Sequence, residues 1–459
     1  MRIAELKGKK ITVMGLGTLG GGVGTAKFLA KQGAKVLATD LKSRAELANS
    51  LKQLKSFPIK YVLGRHRITD FTNTGLVVKN PAVPKNSPFL KAAERRDIPI
   101  ENDASLFFNY CPNPIIGVTG SKGKSTTVAL LERMLKKGKV PVVLAGHNTT
   151  SVLDRIELLK KKDWVLFELS SWRLEGLAKI KKSPQIAVIT NLVPDHLNTY
   201  RGMREYQEAK KKIYQFQNSR DYVILNRDNK ITRSFGKEVP SQRYWFSLKS
   251  FSEQNGAFIK NNKIFFRSYG KESLVLDLST LKLLGKHNVQ NALAAVIVAK
   301  ILKISNRNIA DVLRSFKGMP GRIELVRILK GAKYFNDTAA TIPDATIAAL
   351  DSFNKKVILI VGGQNKKLNY SNLSRKIIKR TKQLILLPGS ASDEIEKLLK
   401  RRHFSFTKCN SLSSAVLAAR QRAEREDVIL FSPGAASFNL FRNEFDRGDQ
   451  FKKFVNKLS

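Results

Sequence analysis

The stretch IIGVTGSKGKSTTVALLERML, residues 115–135, decides how the rest of the chain is read. An apolar run, Ile115 to Val118, breaks into Thr119-Gly120-Ser121-Lys122-Gly123-Lys124-Ser125-Thr126 and then takes up helical periodicity. Strand, glycine-rich turn and helix in that order make a phosphate-binding loop. The glycines let backbone N–H groups turn onto phosphate oxygens, and the helix presents the positive end of its dipole. Lys124 is placed to reach the β- and γ-phosphates, and the Ser125 hydroxyl to ligate Mg2+. The spacing departs from the ordinary loop, because the position five before Gly123 is Val118 and Thr-Gly-x-x stands before Gly-Lys-Ser. A Gly/Lys-rich surface turn is the plain alternative, and the flanking strand and helix weigh against it. Use of ATP is the expectation.

Working outward, 459 residues exceed what one hydrophobic core holds, so two to four domains are expected. Residues 1–111 alternate strand-like and helical segments (KKITVMGLG, VGTAKFLAKQ, AKVLATD, GLVVKN), a βαβ pattern that implies a parallel sheet. Cys111-Pro112-Asn113-Pro114 reads as a linker, since proline stops helices and interior strands. A second α/β unit, 112–318, follows, with strands at IIGVTG, VPVVLAG, WVLFELS, QIAVITNL and DYVILNRD. Its short alternating runs over 240–280 predict a small antiparallel excursion. A third unit, 319–459, has strands at KVILIVGG, QLILLPGS and DVILFSPG. The fold class is α/β with three domains: N-terminal Rossmann-like, central ATPase-type with a mainly parallel sheet, and C-terminal Rossmann-like.

No apolar run approaches the ~20 residues of a membrane span, and the N-terminus enters a strand without signal-peptide architecture. Two cysteines, Cys111 and Cys409, form no disulfide framework. A cytoplasmic protein without a membrane partner is expected. The net charge of +45 raises nucleic-acid binding as a possibility. The lysines are dispersed along helical polar faces, with no basic arm and no aromatic platform, so a solvated surface is the preferred reading.

Further motifs stand at strand ends, where open α/β sheets bind ligands. Gly15-Leu16-Gly17-Thr18-Leu19-Gly20 fits G-x-G-x-x-G, and Asp40 closes the next strand, where a carboxylate can bond a ribose hydroxyl. A dinucleotide, another diphosphate nucleotide or an empty glycine turn would each satisfy it. Glu168 ends the run from Trp164, placed to hold Mg2+, and Asp195-His196 follows the strand IAVITNL. Beside the phosphate loop, Glu168 and His196 read as metal-site residues. Lys210, in REYQEAKKKIYQF, reads on chemistry alone as a solvated helix lysine. Asn288 and Asn291 open an apolar helix, and cap, buried polar residue or base recognition all suit them. Arg322 follows a Gly-Met-Pro-Gly turn; Asn336-Asp337-Thr338, GGQNK (362–366) and SPGAAS (432–437) end strands that should converge on one cleft.

The ordered set GVTGSKGKSTT (117–127), ELSSWRLE (168–175), NLVPDHLNTY (191–200), EAKKKIY (208–214), GKHNVQNALAA (285–295), GRIE (321–324), NDTAATIPDAT (336–346), VGGQNKK (361–367) and SPGAASFNLFRNEFDRGDQF (432–451) resembles the Mur ligases. These are ATP-dependent, ADP-forming amide ligases of peptidoglycan synthesis, and ELSS-x-x-Leu-Glu with the FDRGDxF ending resembles their D-glutamate-adding branch. The resemblance covers nearly the whole chain. It implies that ATP phosphorylates the carboxylate of UDP-N-acetylmuramoyl-L-alanine and that the amine of D-glutamate displaces phosphate. It implies ATP contacts from Thr119 to Thr126, with Asn288, Asn291, Arg322 and Asp337, and Lys124, His196 and Lys210 as catalytic residues. Two Mg2+ sites would draw on Ser125, Glu168, His196 and Lys210, the last as a carbamate. The UDP substrate would lie on Gly15, Gly17, Thr18, Leu19, Gly20, Asp40, Asn80 and Asn148, and D-glutamate on Lys366, Ser437 and Phe438. A monomer is expected.

Four positions differ from the best-known members of that family: Gly321 for histidine, Ala339 for lysine, Arg173 for glutamine and Lys122 for asparagine. Two other readings compete. A folylpolyglutamate synthase-like ligase would start near the phosphate loop, and the GxGxxG domain ahead of it here argues otherwise. A nonenzymatic nucleic-acid-binding descendant would not need Lys124, Ser125, Glu168, His196 and Lys210 intact.

Overall fold

The computed structural model describes residues 3–18, 20–81, 83–146, 151–196, 199–437 and 440–459. Three sheets, met in chain order, organise them. The first holds β1 (Lys10–Met14), β2 (Lys35–Asp40), β3 (Ile59–Leu63), β4 (Leu76–Lys79) and β5 (Ile100–Glu101) in the order 3-2-1-4-5, all parallel. Its strand order reverses between β1 and β4, so a crevice opens beyond their carboxyl ends, at Gly15 and Asn80.

The second sheet has nine strands: β6 (Ile115–Thr119), β7 (Val142–Ala145), β8 (Trp164–Glu168), β9 (Ile186–Ile189), β10 (Tyr222–Asn226), β11 (Gln242–Ser247), β12 (Gly256–Lys260), β13 (Lys263–Ser268) and β14 (Lys271–Asp277). They lie in the order 14-13-12-11-10-9-6-8-7. The expected antiparallel excursion over 240–280 needs correction. β11 and β12 continue the parallel sheet, and the antiparallel part is confined to β13, which runs opposite to both β12 and β14. Alternation marks a half-covered strand without fixing its direction, which depends on where the chain re-enters the sheet. β6 is central and buried at every residue, which explains its unbroken apolar run. The helix Lys124–Lys137 packs beside Lys286–Ile301, whose residues Ala292–Ala299 are all buried. A helix apolar all round belongs inside a core.

The third sheet places β15 (Glu324–Leu329), β16 (Ala332–Asn336), β17 (Val357–Val361), β18 (Thr381–Leu386), β19 (Thr407–Lys408) and β20 (Val428–Phe431) in the order 15-16-20-17-18-19. Only β15 is antiparallel to its neighbour. No helix among the described residues is long and apolar enough to cross a membrane.

A largely buried joint ties the first sheet's last helix to the helix Ser171–Ile180 that follows β8. Asn102 caps the helix Asp103–Tyr110 and donates to the Trp172 and Arg173 carbonyls, at 3.0 and 3.2 Å. Arg173 makes a forked ion pair with Asp103, closing to 2.8 Å, and donates to the Gly146 carbonyl. A guanidinium spans both partners in a way that a neutral amide would not.

Candidate active site

The phosphate loop is shaped by its neighbours. Gly120 has φ 146° and Gly123 φ 89°. A Cβ on Gly120 would lie 2.0 Å from Thr190 Oγ1, and one on Gly123 2.2 Å from Asn291 Oδ1. Asn191 braces the loop: its side chain accepts from the Lys122 N–H at 3.0 Å and donates to the Lys122 carbonyl at 3.0 Å. Sequence reading missed this residue, since an asparagine after a strand carries no distinctive signal. Lys124 folds back, its Nζ 2.9 Å from the Gly120 carbonyl and 3.2 Å from that of Ser121. The Ser125 hydroxyl donates to Glu168 Oε1 at 3.1 Å and accepts from Arg322 Nη2 at 3.2 Å. Thus a cation from the third unit touches the loop of the second.

Lys210 is not the solvated helix lysine that its chemistry alone implied. It is 2% exposed, with Nζ 2.9 Å from Thr119 Oγ1 and 3.3 Å from the Gly120 carbonyl. Burial drives its pKa well below the usual lysine value, and the nearby Lys124 adds to the effect. The buried Asp195 carboxylate lies 3.6 Å from Lys122 Nζ, 3.9 Å from Lys366 Nζ and 3.8 Å from His196 Nε2. Burial works to raise its pKa, yet Lys122 and the other cations leave it below the ordinary value. His196 sits at φ 56° with its ring edge-on to Trp172, and burial holds its pKa down to about 4 despite Asp195. A neutral imidazole keeps a lone pair free for a metal.

Among the described residues no group of three or more His, Cys, Asp and Glu side chains could hold a metal ion. The Ser125–Glu168 pair still fits Mg2+. That ion takes one or two protein oxygens and completes its octahedron with phosphate and water. Lys210 as an ammonium only donates, so it could ligate only after conversion to a carbamate.

A cavity of about 310 Å3 runs from the loop to the third sheet. Thr126, His287, Asn288 and Asn291 line one wall, and Arg322, Asp337 and the alanine-rich helix Pro343–Leu350 the other. Asn291 donates to Asn288 Oδ1 at 3.2 Å, and Asn288 donates to the Leu284 carbonyl. The helix is capped by Gly285 without a side chain, so Asn288 is not its cap. Burial raises the pKa of Asp337 to about 7, against hydrogen bonds from Ser432 and the Ile323 N–H. Asp228, paired with Gln290 at 3.0 Å, also lines the cavity. Neither was singled out by sequence, since an aspartate after a strand and a glutamine in a helix carry no distinctive signal. An antiparallel bridge, Gln364 to Ala436, ties together the loops that carry Lys366 and Ser437. Arg447, 1% exposed, bonds Thr338 Oγ1 and the carbonyls of Thr338 and Ala435, locking the C-terminal helix beneath that bridge.

In the first unit, Asp40 accepts from the Gly17 N–H at 2.8 Å and the Lys42 N–H at 2.9 Å. Asn80 donates to the Gly15 carbonyl at 3.2 Å, and Gly20 caps the first helix. Thr18 is exposed at the loop's tip. Gly15, Asn80, Lys79 and Asp103 bound a small crevice there, and burial lowers the pKa of Lys79. Leu19, Asn148 and Phe438, all expected in the site, lie outside the described residues.

Fold and site together define a three-unit α/β protein in which a glycine-rich loop of the second unit meets an arginine of the third across a shared cavity. Family models for the MurD-like N-terminal domain, the Mur ligase middle domain and the Mur ligase glutamate ligase domain match residues 9–102, 118–299 and 321–434. UDP-N-acetylmuramoylalanine–D-glutamate ligases of Roseiflexus sp. and Borreliella afzelii are 40% and 39% identical. They match over 99% and 100% of this chain, and over the full length of each relative. The chain belongs to the Mur ligase family, in the group of these D-glutamate ligases. Solved structures similar in fold include a UDP-N-acetylmuramate-alanine ligase of Thermotoga maritima (TM-score 0.60, 20% identity, 98% of this chain and 99% of that one). A MurF ligase of the same organism in complex with ADP is another (TM-score 0.59, 17% identity, 92% and 95%).

Proposed function

We propose that this protein is an ATP-dependent, ADP-forming ligase that joins D-glutamate to UDP-N-acetylmuramoyl-L-alanine during peptidoglycan precursor synthesis. The observation that carries the reading is the meeting of Arg322 with Ser125 beside Glu168, which brings the amino-acid unit onto the phosphate loop. In this reading residues 1–111 hold the UDP substrate on Gly15–Gly20, Asp40, Asn80 and Asn148. Residues 112–318 bind ATP, and 319–459 present D-glutamate on Lys366, Ser437 and Phe438. The protein works as a cytoplasmic monomer, and its positive charge is a solvated surface rather than a nucleic-acid or membrane site.

The alanyl carboxylate attacks the γ-phosphorus, the bond to the β-phosphate oxygen breaks, and ADP leaves an acyl phosphate. The amine of D-glutamate then attacks the acyl carbon, the C–O bond to phosphate breaks, and an amide and inorganic phosphate result. Lys124 and the loop N–H groups offset charge on the transferring phosphoryl group, and Asn288, Asn291 and Asp337 fix the nucleoside. Ser125 and Glu168 would hold Mg2+, which would further neutralise phosphate charge. Lys210, held with a depressed pKa, has the free amine that condenses with carbon dioxide, releasing a proton and leaving a carbamate. That anion and His196 would hold a second Mg2+. Incubation with ATP, Mg2+, UDP-N-acetylmuramoyl-L-alanine and either D- or L-glutamate tests the whole reading. Phosphate release with the D-isomer and little with the L-isomer is expected; release independent of the amino acid would overturn it.

A further inference from the structure

One lysine of the first unit serves two helices of the second. Lys85 lies between β4 and the helix Pro88–Glu94, on the connection that opens with Asn80. Its Nζ is 2.8 Å from Glu175 Oε1 and 3.1 Å from Glu205 Oε1, and it stands 5.0 Å from the centre of the Tyr200 ring, over its face. Tyr200, 2% exposed, donates its hydroxyl to the same Glu175 oxygen at 2.7 Å. The other oxygen of Glu205 accepts from the Arg201 N–H at 2.9 Å. An ion pair between two freely exposed side chains contributes little. Here one ammonium joins three elements over an aromatic face, and the Glu175 side chain is only 17% exposed. Lys79 and Lys179 stand in the same neighbourhood as further cations, and Asp103 there is already engaged by Arg173. Without Lys85, Glu175 would keep Tyr200 and those cations, so the fold should tolerate the loss.

Both helices bear on the phosphate loop. The helix Ser171–Ile180, which carries Glu175, begins just after Glu168. On the helix Met203–Lys211, Glu205 sits in the first turn. Tyr206 beside it pairs its phenol with Ser121 Oγ at 3.2 Å, and Lys210 in the last turn reaches Thr119. A displacement of Lys85 therefore either breaks its ion pairs or moves the helix that holds Tyr206 and Lys210 against the loop.

We propose that Lys85 is a positioning residue for the ligation. Its ion pairs dock the connection that carries Asn80, where the UDP substrate is read to lie, onto the helices flanking the phosphate loop. They thereby hold the substrate's carboxylate at the γ-phosphate end of the nucleotide. The proposal rests on the ligase reading. Lys85 acts through Glu175 and Glu205 rather than by touching the substrate, because its ammonium is already shared between the two carboxylates. Reacting groups gain most from being held in line, and a misplacement of ~1 Å can cost about a hundredfold in rate.

The test compares wild type, Lys85→Met and Lys85→Arg in steady-state kinetics and in calorimetric binding of UDP alone. Lys85→Met should lower kcat/KM for UDP-N-acetylmuramoyl-L-alanine about tenfold, with a fall in kcat. KM for ATP and Kd for UDP should stay near their wild-type values. Lys85→Arg should recover most of the loss, since a guanidinium can still span two carboxylates. Glu175→Gln added to Lys85→Met should cost little more than Lys85→Met alone. An unchanged kcat, or full additivity of the two substitutions, overturns the proposal. So does a rise in Kd for UDP as large as the fall in kcat/KM, which would put Lys85 at the nucleotide itself. If Lys85→Met does not fold, Glu205→Gln, at the more exposed carboxylate, must show the same split. A wild-type protein that neither binds UDP nor releases phosphate with D-glutamate defeats the ligase reading itself, an outcome distinct from a failure at Lys85.

Discussion

In the proposed reaction Lys124 meets the charge of the triphosphate, and among the described residues its hydrogen bonds go to two loop carbonyls. Lys124→Ala should therefore cost turnover about a hundredfold or more, as loss of an electrostatic donor does at other active sites. The thermal midpoint should barely move, and phosphate release beside a melting curve checks both. Asp337 makes the opposite case, a residue whose chemistry is felt in stability. Its folded pKa of about 7 stands above the ordinary 3.8. Between those values the folded protein binds a proton that the unfolded chain does not, so its contribution is fully present below about pH 4 and lost as pH rises through 7. The ceiling is about 1.4 kcal/mol per pH unit. Asp337→Asn should flatten that part of the profile, and thermal midpoints of both proteins from pH 4.5 to 7.5 measure it. Lys210 shows where single residues escape sequence. A lysine in a helix is ordinary until Thr119 and the Gly120 carbonyl, remote in the chain, join Tyr206 one turn back to enclose it.

At the scale of elements, the helix Glu444–Asn456 depends on close fit. A Cβ on Gly448 would lie 2.6 Å from Thr338 Cγ2, and Arg447 satisfies two buried carbonyls. Arg447→Met keeps much of the side-chain volume and leaves both carbonyls without their donor. A loss of about 3 kcal/mol is expected, read from urea unfolding, with weakened D-glutamate binding because Ala435 precedes Ser437. Strands with unbroken apolar runs, such as β6, β8, β17 and β20, were legible because burial on both faces leaves that signature. β3, β5, β15 and β19 were not. β3 and β15 are partly exposed and mixed in polarity, while β5 and β19 are two residues long. The directions of β11 and β12 belong to the sheet rather than to their own residues.

Across the whole molecule, the units are joined by charge as well as by apolar contact. Arg173 and Asp103 form a buried pair, and neither residue announces its partner in sequence, seventy positions apart. Asp103→Asn would leave the guanidinium without its carboxylate and should destabilise by about 3 kcal/mol. It should also raise KM for the UDP substrate more than KM for ATP, since the joint sits between the first unit and the helix Ser171–Ile180; calorimetry and steady-state kinetics check the two effects. The three-unit plan and the order of the site's motifs could be read from the chain, because strand-end glycines and carboxylates recur at regular places. The inter-unit contacts, Arg322 to Ser125 and Lys122 to Thr341, exist only once the units meet. In the proposed reaction this meeting serves carboxylate activation. Heavy-oxygen label in the alanyl carboxylate of UDP-N-acetylmuramoyl-L-alanine follows that activation through to the released phosphate. Each phosphate released in the presence of ATP, Mg2+ and D-glutamate should carry one labelled oxygen. Amide formed with unlabelled phosphate would contradict an acyl phosphate.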